Sequence, residues 1–257
     1  MSRSSRNAVY CPPASFNRGI TLDDDAWSSG AVAFTFAGWF FTDTVRYRAG
    51  YWGNWDGVVG NGHMLIRENT GATTVGFFVR AHATSSISVT STATLSANTW
   101  HHIAMSYDSS GTPTIAGYID GAKVSNTGTG GTLASPPTAL RLGGYNATQA
   151  NLDAHVRDIA IWDGVALPDT TINSLAAGMN PIFAHPTEYW PLDGGTDAVS
   201  ERGLLKGRGV TFTGGSDPVV IDQDADPWHL SPPIAPVYVP GVAAAPVVPA
   251  RRVAVMF

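Results

Sequence analysis

Cysteine is nearly missing from this chain of 257 residues: Cys11 stands alone. No internal disulfide can form, and no Cys/His set has zinc-finger spacing. Lysine is reduced to Lys123 and Lys206, glutamate to Glu68, Glu188 and Glu201, charged residues amount to 14%, and the net charge is −5. A chain so poor in cations is not built to neutralise phosphates, which argues against nucleic acid as a partner. Nowhere do the roughly 20 apolar residues of a membrane-spanning helix run together. The stretch Met1–Tyr10 lacks the apolar core of a secretory signal, so the expectation is a chain that folds in a cytoplasm. Scarce glutamate also bears on catalysis, because a glycosidase needs two carboxyl groups flanking the scissile bond. No Glu-x-Asp-x-x-Glu array, Gly-x-Ser-x-Gly or His-Glu-x-x-His occurs, and the sequence reads as that of a protein without enzymatic activity.

What is present is turn chemistry and alternation. Glycine numbers 28, and Ser and Thr are abundant, which favours short strands and tight turns over helices. Trp100–Asp108 and Ala116–Val124 each alternate aromatic or β-branched residues with polar ones, the pattern of half-buried strands. Between them, 108–113 carries side-chain acceptors, Gly111 and Pro113, and reads as a turn. Asp120-Gly121 predicts a type I′ hairpin turn, which needs positive φ at both central residues. Two hairpins in series predict an antiparallel meander.

These residues resemble a family. Trp100-His101-His102-Ile103-Ala104, Tyr118-Ile119-Asp120-Gly121 and Leu140-Arg141-Leu142-Gly143-Gly144 are similar to the laminin G-like, concanavalin A-like lectin/glucanase sandwich. Ser15–Leu22 resembles its opening strand, Phe34–Phe40 the next core strand and His155–Trp162 the closing one, so that the likeness runs over roughly 15–183. The resemblance implies an all-β fold, an antiparallel β-sandwich of jelly-roll type. Its members include lectins, adhesion modules, hydrolase appendages and virion proteins, so function stays open.

Along the chain, residues 1–14 read as a polar arm and 15–183 as the sandwich, with strands near 15–22, 32–42, 57–67, 74–82, 86–90, 100–107, 114–120, 138–143 and 155–162. Trp100, Ile103, Phe36, Trp39, Ile119, Leu142, Ile159 and Ile161 are the predicted core, and Val156, out of phase with the last two, predicts a bulge near Arg157 and Asp158. One short helix is expected over Thr170–Gly178, capped by Asp169 and ended by Gly178. Residues 184–216 read as a β appendix that completes the sandwich or packs on it. From 217 to 257 the chain is rich in proline yet apolar, an extended tail that must dock somewhere.

The best ligand candidate is the aromatic, glycine-rich stretch between two core strands, with Tyr51, Trp52, Asn54, Trp55 and Asp56. Aromatic faces stack on the C–H side of sugars while Asn and Asp orient hydroxyls. Arg251, Arg252, Val253, Val255 and Phe257 are the candidate anchor of the tail: the apolar residues alternate, as in a strand added to an exposed sheet edge, and the arginines suit an acidic acceptor. His101 and His102 invite a metal reading, but adjacent strand residues point to opposite faces. Calcium fits the family's sheet rims, with Asp23, Asp24 and Asp25 consecutive; the family's acidic pair is broken here by Arg157 beside Asp158, whose guanidinium would repel a cation, and no metal ligand is assigned. The function these features suggest first is a structural or binding component of a phage particle (a head decoration, fibre or tail protein), located in the virion, oligomeric and anchored on capsid or tail subunits by its own tail. The alternative is a free bacterial carbohydrate-binding lectin module that meets a cell-surface glycan, and behind it a hydrolase of the same fold.

Overall fold

The computed structural model describes residues 8–11, 19–22, 30–42, 50–54, 63–68, 73–81, 86–133, 141–142, 154–190, 210–213 and 220–221. Everything described lies in one compact unit, within residues 1–224. Its strands are β1 (Ala8–Cys11), β2 (Gly19–Leu22), β3 (Ala33–Thr42), β4 (Gly50–Gly53), β5 (His63–Glu68), β6 (Thr74–Arg80), β7 (Ile87–Thr94), β8 (Trp100–Asp108), β9 (Ile115–Ile119), β10 (Ala122–Asn126), β11 (Arg141–Leu142), β12 (Ala154–Asp163), β13 (Glu188–Trp190), β14 (Val210–Thr213) and β15 (Val220–Ile221), with one helix, α1 (Asp169–Ala176). All pair antiparallel. One sheet runs β10-β9-β8-β3-β12-β1-β15, with β13 also on β12; the other runs β14-β2-β11-β4-β5-β6-β7.

The all-β sandwich expected from the sequence is the fold observed. Inward residues of the two sheets meet in one core: Phe34, Phe36, Phe40, Ile103, Met105, Tyr107, Ile159 and Ile161 from the first, and Tyr51, Trp52, Met64, Ile66, Phe77 and Val79 from the second. Trp52 stacks on Phe36 at 4.4 Å between ring centroids. Gly117 of β9 leaves room for the Phe77 ring from the facing sheet, which occupies the space a Cβ would need.

Local chemistry explains the turns. Asp120 and Gly121 have φ of 51° and 82°, the two positive values of a type I′ turn, and Ala122 pairs with Ile119 across it. β8, β9 and β10 form the expected meander. In the turn after β8 the Asp108 carboxylate accepts from the Ser110 N–H at 2.9 Å. The bulge is also present. On β12, Asp158 and Ile159 stand opposite the single residue Gly38, between the pairs Arg157–Trp39 and Ala160–Ala37, and Asp158 has φ of 51°. Bulge and glycine match, because the Ile159 side chain fills the place a Cβ on Gly38 would take.

Four expectations need correcting. Ala8–Cys11 is not arm but strand: it pairs with the first half of β12, whose backbone groups would otherwise lack ladder partners. Gly50–Gly53 is a strand the pattern did not show, the run Ala116–Val124 is divided by the Asp120-Gly121 turn into β9 and β10, and of the strand expected near 57–67 the described part is His63–Glu68. The stretch read as an appendix supplies a strand to each sheet, β13 beside β12 and β14 beside β2, and within the stretch read as tail β15 forms an edge strand, where flanking prolines are tolerated. Finally, Asp169 does not cap α1. The helix starts after Pro168 with no side-chain cap, because the Asp169 carboxylate accepts from the Tyr118 hydroxyl and from Lys123 Nζ, each at 2.8 Å. Gly178 does end it: φ is 95°, and the Gly178 and Met179 N–H groups bond back to Leu175 and Ser174 in a Schellman arrangement.

Candidate functional site

Strand period and register place the site. On β3 the even residues from Phe34 to Phe40 face the core, so Thr35, Ala37, Trp39 and Phe41 face the opposite side of the sheet. The same alternation puts Trp100, His102 and Ala104 of β8, and His155, Arg157 and Ala160 of β12, on that outer side. Towards one end the outer face is carpeted with Ala37, Ala104, Ala116 and Ala160, small enough for α1 to lie close through Ile172 and Leu175. Towards the other end it changes character. Trp100 and His155 flank Phe41 in one cross-strand row, and His102 and Arg157 flank Trp39 in the next.

The contacts in this block are specific. Phe41 meets His155 edge-on at 5.6 Å and Trp100 at 5.7 Å, and Trp39 meets His102 edge-on at 5.2 Å. The Arg157 guanidinium lies over the Trp100 ring, 4.3 Å from its centroid. Beside it the bulge carries Asp158, which accepts from the Tyr189 hydroxyl of β13 at 2.5 Å. Phe41 is half-buried; Trp39 and Trp100 keep 7% and 8% exposure, against 2% for His102 and 1% for Arg157. Within this block Phe41 is the residue that is more than marginally exposed; the arginine, the two histidines and Asp158 are buried among the rings.

Burial lowers the pKa of His102 to about 4, against a smaller opposing pull from Asp120, so the ring is neutral at pH 7. His101, on the other side of β8, is a fastener. Its Nε2 accepts from the Ser96 N–H at 3.0 Å, so the proton sits on Nδ1, which donates to Asp120 at 2.6 Å. The same carboxylate accepts from the His102 N–H at 2.8 Å. The two histidines therefore serve separate surroundings, and among the described residues no group of three or more His, Cys, Asp or Glu is placed to hold a metal ion. Asp23, Asp24 and Asp25 lie outside the described residues.

The Laminin_G_3 pattern of the concanavalin A-like lectin/glucanases superfamily matches residues 15–173, more than half of the sequence. The chain belongs to this superfamily. No curated protein matches it in sequence. Among solved structures, a candidate carbohydrate-binding protein from Bacteroides ovatus is 17% identical with a TM-score of 0.62 over 87% of this chain and 61% of its own, so this chain spans under two thirds of that protein's length. The carbohydrate-binding module CBM40 of the Ruminococcus gnavus IT-sialidase, solved with α2,3-sialyllactose, is 12% identical with a TM-score of 0.53 over 68% of this chain and all of its own. A heptameric SAP-like pentraxin from Limulus polyphemus is 14% identical with a TM-score of 0.52 over 70% and 87%. At such identities the likeness is one of fold: this superfamily member has the lectin-like sandwich shared with carbohydrate-binding domains.

Within that superfamily fold, three of the residues singled out for ligand binding turn out to be interior. Tyr51, Trp52 and Asn54 are each 0% exposed. Tyr51 and Trp52 belong to β4 and the inter-sheet core, and the Tyr51 hydroxyl donates to Glu68 at 2.8 Å. Burial, reinforced by the neighbouring Glu68 carboxylate, pushes the Tyr51 hydroxyl well above its ordinary pKa. The Asn54 side chain accepts from the Met64 N–H at 2.7 Å and ties β4 to β5. Rings enclosed between two sheets offer no face to a sugar, so the ligand reading of these residues is withdrawn. Trp55 and Asp56, like Arg251, Arg252, Val253, Val255 and Phe257, lie outside the described residues.

Trp39 and Trp100 are buried, as the sequence suggested, but on the outer face rather than between the sheets. Parity was the available signal. Trp39 is three residues from Phe36, and Trp100 three from Ile103, and an odd separation on an unbroken strand means opposite faces. Among the described residues no helix is long and apolar enough to cross a membrane.

Proposed function

We propose that this chain is a non-catalytic glycan-binding module, and that the outer-face block of Trp39, Phe41, Trp100, His155 and Arg157 is where the sugar docks. The observation that carries the reading is the block itself: two cross-strand rows of rings with a guanidinium and imidazoles at their flanks. Flat rings bind the C–H faces of pyranoses, and half-buried Phe41 is the ring that offers its face here, with the buried polar groups packed behind it. The kinship with a lectin superfamily and the fold shared with CBM40 support it. Catalysis is not proposed. Glu68 is enclosed in the core against Tyr51, and Glu188, in the inward phase of Trp190, is 4% exposed, so neither stands at an open surface to attack a glycosidic bond; Glu201 lies outside the described residues.

Titration of a panel of neutral and acidic oligosaccharides against the intact chain tests the reading. Phe41→Ala should weaken binding of whichever glycan is retained by about tenfold, ~1.4 kcal/mol, the order of one lost aromatic contact. Folding should persist, since Phe41 is half-buried. A panel with no ligand, or full affinity in Phe41→Ala, would sink the proposal.

A second reading, the particle component, has one sequence observation in its favour. The apolar segment from Trp228 onward, with seven tail prolines between Pro227 and Pro249, suits an arm that docks on another subunit. The fold comparisons favour the glycan module over it. Deleting 228–257 should leave a folded sandwich that no longer joins larger assemblies in size-exclusion chromatography. An unchanged elution state relative to the full chain would remove this second reading.

A further inference from the structure

We infer that Tyr189 is a positioning residue for the outer-face block: its hydroxyl holds the β12 bulge at Asp158 and thereby sets Arg157 over Trp100. Asp158 is a residue with a Cβ held at φ 51°, a conformation that persists where its surroundings over-determine it. Two constraints on it are visible. Across the sheet, Gly38 makes room for Ile159. From the other side β13 is registered by the pairs Ile159–Trp190 and Ala160–Tyr189, which bring the Tyr189 hydroxyl to the Asp158 carboxyl at 2.5 Å.

The bulge matters because it sets phase. Ahead of it Val156 faces the core and Arg157 faces outward; beyond it Ile159 and Ile161 face the core again. Were Asp158 drawn into regular pairing instead of bulged out, one half of β12 would turn its other face inward, and Arg157 could no longer lie opposite Trp39 and over Trp100 while Ile159 and Ile161 face the core. Tyr189 lies beyond residues 15–173, the part that matches the superfamily. The block of this chain thus depends on a strand supplied from outside the matched segment, and truncation at the family boundary would disturb it. The link to the bulge stands on geometry alone, while its effect on affinity rests on the glycan-binding reading above.

The test uses the full chain and two readouts. In a 15N-labelled sample each of the eight tryptophans gives one indole signal, and that of Trp100 is identified by its loss in Trp100→Phe. In Tyr189→Phe the Trp100 signal should move, and the affinity for the glycan found with the panel should fall about tenfold, the order of a lost hydrogen bond. Asp158→Asn keeps an acceptor oxygen and tolerates positive φ, so its Trp100 signal should stay near the parent position. If Tyr189→Phe does not fold, Asp158→Ala replaces it, with the same expectations. A Trp100 signal that stays in place in the folded variant overturns the inference. A shifted signal, with no glycan bound even by the parent, upholds the positioning role and defeats the glycan reading instead.

Discussion

Trp52→Ala should destabilise the sandwich by about 3–5 kcal/mol, the usual cost of emptying a buried large aromatic site. Trp52 has no exposed surface, stacks on Phe36 from the facing sheet and lies 6.1 Å from Phe34. It therefore bridges the two layers, and alanine would leave a cavity that neither sheet can close without moving against its own ladder. For a domain of this size the melting temperature should fall by roughly 6–20 °C. Thermal unfolding followed by circular dichroism checks this. A variant that melts with the parent and loses only ligand affinity would return Trp52 to the binding role first read from the sequence.

Acid should weaken the fold through His102. The unfolded imidazole takes up its proton below a pH of about 6.5. The folded one is held neutral by burial until about pH 4. Between those values the unfolded chain binds more protons and gains on the folded one, so the stabilisation is fully present above about 6.5 and lost as pH falls towards 4. This single group contributes up to about 3 kcal/mol of acid sensitivity. His102→Phe, which keeps a ring against Trp39, should flatten that part of the profile of urea-unfolding free energy against pH. A profile between pH 7 and 4 that is the same in parent and variant would show that His102 is not the titrating group.

Both predictions concern residues whose role the sequence half disclosed. Alternation and turn chemistry were enough for the meander: Trp100–Asp108, the Asp120-Gly121 turn and Ala122–Asn126 follow from local preferences that need no distant partner. The bulge was legible for the same reason, since Val156 breaks phase with Ile159 and Ile161 within one strand. Gly178 was legible as a helix end because positive φ after a helix is a backbone requirement. Asp169 was misread as a cap because its partners, Tyr118 and Lys123, lie 51 and 46 residues away along the chain.

The chain's own order of residues determined that this protein is an antiparallel sandwich, since the periods and turns that make one are local and recur along its length. Tertiary structure alone decided which side each ring faces. Four aromatics near a turn looked like a binding loop, yet β4 carries Tyr51 and Trp52 into the core because their strand is sandwiched between β11 and β5 and faced by a second sheet. Trp39 and Trp100 looked like core, yet register sets them on the outer face with Phe41, His155 and Arg157, residues from three strands that no local pattern connects. Period fixes that neighbours on a strand face opposite ways; only the second layer, laid on one side, makes one of those ways the inside.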